Sequence, residues 1–390
     1  MMNQFEFQIP TKLYFGPKKE EEVGQILSSY GAKNVLIVIG KSSVIKSGLL
    51  NRVSKSLENE NITYYILAGV RANPTFDLVI EGKNLAKQHN VDFILAIGGG
   101  SVIDTAKCIG VNALYDGDIR DFNYHVATPT QTLPVGVILT ISAAGSEMSN
   151  SCVIQDDVMN KKMGFNSEII RPVFAIEDPE LTYSVSKEQT AYGVVDILMH
   201  TLERYFSDSD RYELADEIAL GLIKHVVDVG LIAYNEPENY EARAKLMLAS
   251  SISHSGFTSI GKKYAMPVHQ LEHAVSGRFP KIAHGLGLAI LFPAWAKEYL
   301  PYESKKLAKL GRYVFELEGK DNEVAEKCIN RFSKYFKKLG MPSRLSEVGI
   351  SEQQILELVD IVSQKGERII YHRSHPLDVK VMYDIFSRVK

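Results

Sequence analysis

The order in which two hydrophobic patterns follow one another constrains this chain more than any single residue does. Up to about residue 183, short β-branched runs alternate with segments of helical period. The runs are NVLIVIG at 34–40, ITYYILAG at 62–69, VDFILAIGGG at 91–100 and PVGVILTIS at 134–142, and the helical segments include Ser47 to Asn59 and Asp77 to His89. Strands separated by helices predict a parallel sheet covered on its faces, the α/β arrangement. Beyond that point stretches rich in Leu, Ala, Glu and Lys, at 187–206, 211–234, 239–258, 303–317 and 321–339, predict helices. Two domains are therefore expected, α/β over residues 1–183 and all-helical over 184–390. With no low-complexity linker between them, they are expected to pack closely and leave a cleft.

Composition removes several classes of function. The 44 basic and 47 acidic residues give a net charge of −3, and neither sign forms a block suited to nucleic acid or an anionic membrane. Cys108, Cys152 and Cys328 are too widely separated for thiolate zinc or a disulfide framework, so a metal must be held by His and carboxylate. MMNQFEFQIPTK lacks the basic start and apolar core of a secretory signal, which makes the cytoplasm the expected compartment. The uncharged run between Asp121 and Glu147 is broken by Pro129 and Pro134 and reads as buried strand and loop, not a membrane span.

Two groups of residues can carry chemistry. VDFILAI runs into Gly98, Gly99, Gly100 and Ser101, after which Val102 to Ala106 begin a helix. Such a turn lets backbone N–H groups approach phosphate oxygens at a helix N-terminus, although a ligand-free strand-to-helix turn uses glycine for the same reasons. Thr140 and Ser142 follow the next strand, where a small-residue turn without a ligand would account for them alone; on the same sheet edge as the glycines, they could share one extended ligand such as a dinucleotide. The second group begins with Asp196 and His200, one helical turn apart in an apolar segment. A direct Asp–His hydrogen bond in the core would account for that pair alone. HQLEH at 269–273 and His284 shift the balance, since three of ten histidines fall within 16 positions. One Asp and three His would hold a divalent ion. Glu272 could equally face solvent and receives no role.

GGGSVID at 98–104, DILMH at 196–200, HQLEH at 269–273 and HGLG at 284–287, in that order, resemble the iron-containing (group III) alcohol dehydrogenases, particularly their butanol dehydrogenase-like branch. The resemblance runs from TKLYFG at 11–16 through FPAWAKEYL at 292–300 and continues more weakly beyond. It implies a Rossmann-like dinucleotide-binding domain followed by an all-α domain, the dehydroquinate synthase-like architecture, with a metal between them. It also implies Asp196, His200, His269 and His284 as metal ligands, and His273 near the metal as a substrate-side or proton-relay residue. Gly99, Gly100, Ser101, Asp104, Thr140 and Lys162 are the implied cofactor contacts. Two departures stand out: Ala144 occupies a position where this family commonly has Thr, and SGRFPKIAH is about one residue longer than in many relatives.

After the first strand, Gly40, Lys41, Ser42 and Ser43 include no acid to hold the ribose hydroxyls of NAD, while Lys41 and the serines could bind the 2′-phosphate of NADP. The expected enzyme is a metal-dependent, NADP(H)-linked alcohol dehydrogenase or aldehyde reductase acting on small primary alcohols such as butanol. Fe2+ is the expected ion, with Zn2+ and Ni2+ equally suited to the ligands. Competing readings are an NAD- and zinc-using polyol or glycerol-type dehydrogenase, a metal hydrolase, and a catalytically silent nucleotide-binding protein. Expected partners are the small alcohol or aldehyde and a second copy of the chain, joined through FEFQIPTKLYFG at 5–16; no nucleic acid or membrane is expected.

Overall fold

The computed structural model of the chain describes residues 4–207 and 212–390. Arg211, the first residue of the helix expected over 211–234, lies outside that set.

Runs apolar on both faces form the centre of a six-stranded sheet. β2 (Asn34–Gly40), β4 (Phe93–Gly98) and β5 (Val135–Leu139) are buried along nearly their whole length, as parallel strands covered on both sides must be. With β1 (Lys12–Phe15), β3 (Thr63–Val70) and β8 (Phe174–Glu177) they pair in the order β1-β8-β5-β4-β2-β3, every pair parallel. The strand order reverses between β2 and β4, because β2 leads outward to β3 and the chain then returns to the other side of β2. Such a switch point opens a crevice at the C-terminal ends of the strands. A separate antiparallel hairpin, β6 (Ser151–Asp156) and β7 (Lys161–Asn166), is absent from the sequence-based expectation.

The connecting helices are α1 (Val23–Ser29), α2 (Ser43–Lys46), α3 (Leu49–Asn59), α4 (Phe76–Gln88) and α5 (Gly100–Ala113). Most are amphipathic; α3 buries Leu49, Leu50, Val53 and Leu57. Helix α5 differs, since it is buried on nearly every face between α4, β4 and β6.

The second half consists of α6 (Lys187–Tyr205), α7 (Glu213–Asn235), α8 (Tyr240–Ser255), α9 (Pro267–Arg278), α10 (His284–Phe315), α11 (Asp321–Lys338), α12 (Glu352–Val362) and α13 (Val379–Ser387). The chain divides into two compact units, residues 9–184 and residues 185–390, with residues 4–8 grouping in the second. Those residues were expected in the α/β half. Apolar contact draws them to the helices instead: the rings of Phe7 and Phe257 lie 5.3 Å apart, and Phe5 covers the open face of Gly261. Of the strand expected over 5–16, only Lys12–Phe15 forms, and it pairs within the chain as a sheet edge. No helix among the described residues is long and apolar enough to cross a membrane.

Candidate metal centre and cofactor turn

Helix α6 places Asp196, His200 and Glu203 at positions 0, 4 and 7, one face of a helix, and all three are buried. Helix α9 supplies His269, and His284 is the first residue of α10. The three Nε2 atoms converge on one carboxylate oxygen: Asp196 Oδ1 lies 3.4 Å from His200, 3.7 Å from His269 and 3.8 Å from His284. Donor atoms about 2.1 Å from a tetrahedral ion would stand about 3.4 Å apart; Asp196, His200 and His269 bring donor atoms within 4.8 Å of one another, and His284 joins them through Asp196, at 3.8 Å, while also grouping with Glu272 and His273. His269 Nε2 is buried and has no hydrogen-bond partner among the described residues, a costly state that an ion would relieve. These residues fit the metal of the expected enzyme.

The electrostatics divide the imidazoles. Burial, followed by the charges of His254, His269 and Arg204, holds His200 well below its usual pKa. Burial also lowers His269, but the carboxylates of Glu203 and Asp196 outweigh it and raise that group to about 9. His273 stands apart: it is half-buried, its ring is 6.5 Å from that of His269 and 5.5 Å from that of His284, and it groups with Glu272 and His284 instead of with Asp196.

Two glycines in HGLG explain how α10 delivers His284. A Cβ on Gly285 would come within 2.3 Å of the Tyr192 carbonyl oxygen of α6, and one on Gly287 within 2.7 Å of Glu272 Cγ on α9. Glycine therefore permits α10 to approach both neighbours. Residues 279–283 connect α9 to α10 and accommodate the length of SGRFPKIAH while His284 still reaches Asp196.

In the α/β unit the expected cofactor residues gather at the ends of adjacent strands. Gly40, Lys41, Ser42 and Ser43 follow β2; Gly99, Gly100 and Ser101 follow β4; Thr140 and Ser142 follow β5. The first two groups flank the switch point. A Cβ on Gly99 would lie 2.3 Å from Ile141 Cγ2 and one on Gly100 3.3 Å from Ala144 Cβ, so the glycines allow the two segments to touch. Thr140 N–H donates to Gly98 O at 3.1 Å. Ser142 Oγ is buried without a partner among the described residues, and with the N-terminus of α5 it suits a polar ligand here.

Asp104 is turned toward the protein. It accepts from Ser146 Oγ at 2.7 Å and from Val153 N at 3.0 Å; burial raises its pKa, against the nearby charges of Lys107 and Lys162. Lys162 lies on β7, opposite Gln155. Sequence reasoning missed Lys107, which is fully buried and donates to Ser146 O, Ser149 O and Ser151 O at 2.6, 3.0 and 2.9 Å. It also missed Glu203 and left Glu272 undecided. The Glu272 side chain is completely buried, whereas a surface residue had been equally expected.

A parallel sheet with a glycine turn beside its switch point, followed in the same chain by helices bearing a His/Asp cluster, defines a class, the metal-dependent nicotinamide-linked dehydrogenases. Family profiles make it specific. "Iron-containing alcohol dehydrogenase" matches residues 10–179, and "Fe-containing alcohol dehydrogenase family, C-terminal" matches residues 190–389. The chain belongs to the iron-containing alcohol dehydrogenase family, and it is an NAD(P)-dependent alcohol dehydrogenase or aldehyde reductase. It is 38% identical over 390 residues to NADH-dependent butanol dehydrogenase A of Clostridium acetobutylicum, covering 99% of this chain and 100% of the relative. It is 31% identical to the NADPH-dependent aldehyde reductase YqhD of Escherichia coli, covering 94% of each. The crystal structure of NADH-dependent butanol dehydrogenase A from Thermotoga maritima superposes with a TM-score of 0.95 at 34% identity, covering 100% of this chain and 99% of that one.

Proposed function

We propose that this enzyme interconverts small aldehydes and primary alcohols, butanol among them, using one divalent ion held by Asp196, His200, His269 and His284. The observation that carries the reading is the convergence of three imidazole nitrogens on Asp196 Oδ1, at 3.4, 3.7 and 3.8 Å. A divalent ion supplies Lewis acidity there, drawing charge from an aldehyde oxygen in one direction and acidifying an alcohol in the other. The chain's residues supply the rest. The Asp196 carboxylate would offset the ion's charge, with Asp196, His200 and His269 buried and His284 partly open to solvent. His273 is positioned to exchange a proton with solvent because it is half-buried one turn from His269. Backbone amides at Gly99 to Ser101 would hold the pyrophosphate, Thr140 and Ser142 follow the adjacent strand, and Lys162 on β7 would add a positive charge.

The cofactor turn supports NADP(H), because Lys41, Ser42 and Ser43 are exposed and no acid is present to repel a 2′-phosphate. The butanol dehydrogenase relatives carry NADH in their names, and the aldehyde reductase carries NADPH. Fe2+ is the proposed native ion, and Zn2+ and Ni2+ suit the same donors. A homodimer is proposed through the free edge of β1, where the sheet ends. The deciding experiment is an aldehyde panel assayed with NADPH and NADH before metal removal, after it, and after each metal is restored. Turnover that survives complete removal of metal would overturn the reading, and a strong preference for NADH would overturn its cofactor half.

A further inference from the structure

Behind the imidazoles stands another layer of charge. Glu203 follows His200 by three residues on α6, and its side chain is completely buried. One oxygen accepts from Val268 N at 2.5 Å; the other accepts from His269 N at 3.1 Å and from His269 Nδ1. A single carboxylate thus caps the first turn of α9 and fixes the ring that this turn carries. Glu272, also completely buried, does the same for the next imidazole: its Oε2 accepts from His284 Nδ1 and, at 3.3 Å, from Ser276 Oγ. Gly287 leaves the space that Glu272 occupies.

His200 is held differently. Arg204 Nη1 donates to the His200 carbonyl oxygen at 2.7 Å and lies 3.3 Å from His200 Nδ1. A guanidinium has no acceptor, so it cannot accept a hydrogen bond from Nδ1–H and does not fix the His200 tautomer as a carboxylate would. Two of the three rings are therefore backed by carboxylates and one by a cation.

We propose that Glu203 and Glu272 are positioning residues for the metal centre: each accepts a hydrogen bond from the Nδ1–H of one histidine, His269 or His284, keeping the proton on Nδ1 and leaving the Nε2 lone pair directed at the point beside Asp196 Oδ1. An imidazole has two tautomers, and only the one protonated on Nδ1 presents Nε2 as a donor to an ion. A carboxylate at Nδ1 selects that tautomer, fixes the plane of the ring and makes Nε2 more basic. Glu203 also links ring orientation to the backbone of α9, which makes it the more demanding of the two.

This inference rests on the ligand set proposed above, and the test separates the two. Metal affinity is measured by chelator competition, and Co2+ is substituted so that its visible absorption reports the ligand field. His269→Ala should lose tight binding; tight binding retained there would overturn the ligand set itself. Glu203→Ala and Glu272→Ala should bind about 10–100-fold more weakly and shift the Co2+ bands. Glu203→Gln and Glu272→Gln keep the volume and an acceptor oxygen and should recover part of that loss. If the alanine variants do not fold, the glutamine variants decide, by weaker binding and shifted bands at an unchanged melting temperature of the metal-free protein. Wild-type affinity and an unshifted spectrum in the folded variants, with His269→Ala defective, would overturn the positioning role alone.

Discussion

At the sheet edge Gly98, Gly99 and Gly100 make a site by having no side chains, whereas in the helical unit Asp196, Glu203 and Glu272 surround His200, His269 and His284 with carboxylates. The first site is made of backbone and therefore depends on close approach. The second is made of side chains from three helices and depends on charge. A change in either should have its own signature. Replacing His269 with Ala should give the largest effect, a loss of bound metal and a fall in kcat/KM on the order of 1,000-fold or more, with NAD(P)H binding retained. Equilibrium titration with NADPH checks the second half; loss of cofactor binding in that variant would show that the regions are not separable in this way.

The same contrast explains what the sequence discloses. A strand running into a glycine turn is a local pattern, and β2, β4, α3 and α4 form within a few residues of the expected limits. The spacing of Asp196 and His200, and of His269 and His273, is equally local. Glu203 continues the Asp196 face by one further turn, and that was the available signal; its partners, Val268 and His269, lie 65 and 66 residues away. Glu272 looks like any charged residue between two histidines until Gly287 is seen to make room for it. The β6–β7 hairpin escapes notice because SCVIQD and KKMGFN lack a sustained apolar run. Helix α10 extends through Pro293 and Pro301, which argue against a helix locally, and it bends only at Glu303.

Lys107 is where the contrast is least clean, for here the α/β unit also relies on a buried charge. Its ammonium ties Ser146, Ser149 and Ser151 to α5, beside Asp104. Lys107→Met should lower the free energy of unfolding by about 2–4 kcal/mol while leaving metal content unchanged. Burial, opposed by the charge of Asp104, lowers the Lys107 pKa from 10.5 to about 8. Between those values the unfolded chain keeps a proton that the folded chain has released, so the wild-type protein gains stability as pH rises across this window. The gap in melting temperature between wild type and Lys107→Met should therefore widen from pH 8 to 10.5, and a constant gap would contradict the lowered pKa.

Gly99→Ala tests the backbone site directly. Its Cβ would stand 2.3 Å from Ile141 Cγ2, so the turn or the segment after β5 must shift. The expected result is a rise of about 10-fold in KM for the cofactor with metal content and the Co2+ spectrum unchanged, the reverse of the His269→Ala signature. A normal KM would mean that the segment after β5 moves without consequence and that the dinucleotide does not depend on its contact with the glycines.

The smallest effect should come from Lys41, which is exposed at the end of β2. A solvated ammonium beside a phosphate contributes little, so Lys41→Ala should reduce the NADPH-to-NADH ratio of kcat/KM by about 3–5-fold. The fall should come from NADPH alone, because NADH carries no 2′-phosphate for Lys41 to meet. High salt should shrink the difference between wild type and variant, since screening weakens exposed pairs first. Equal losses with both cofactors would instead place Lys41 against the adenosine or the pyrophosphate, leaving Ser42, Ser43 and the absence of an acid after β2 as the argument for NADP(H).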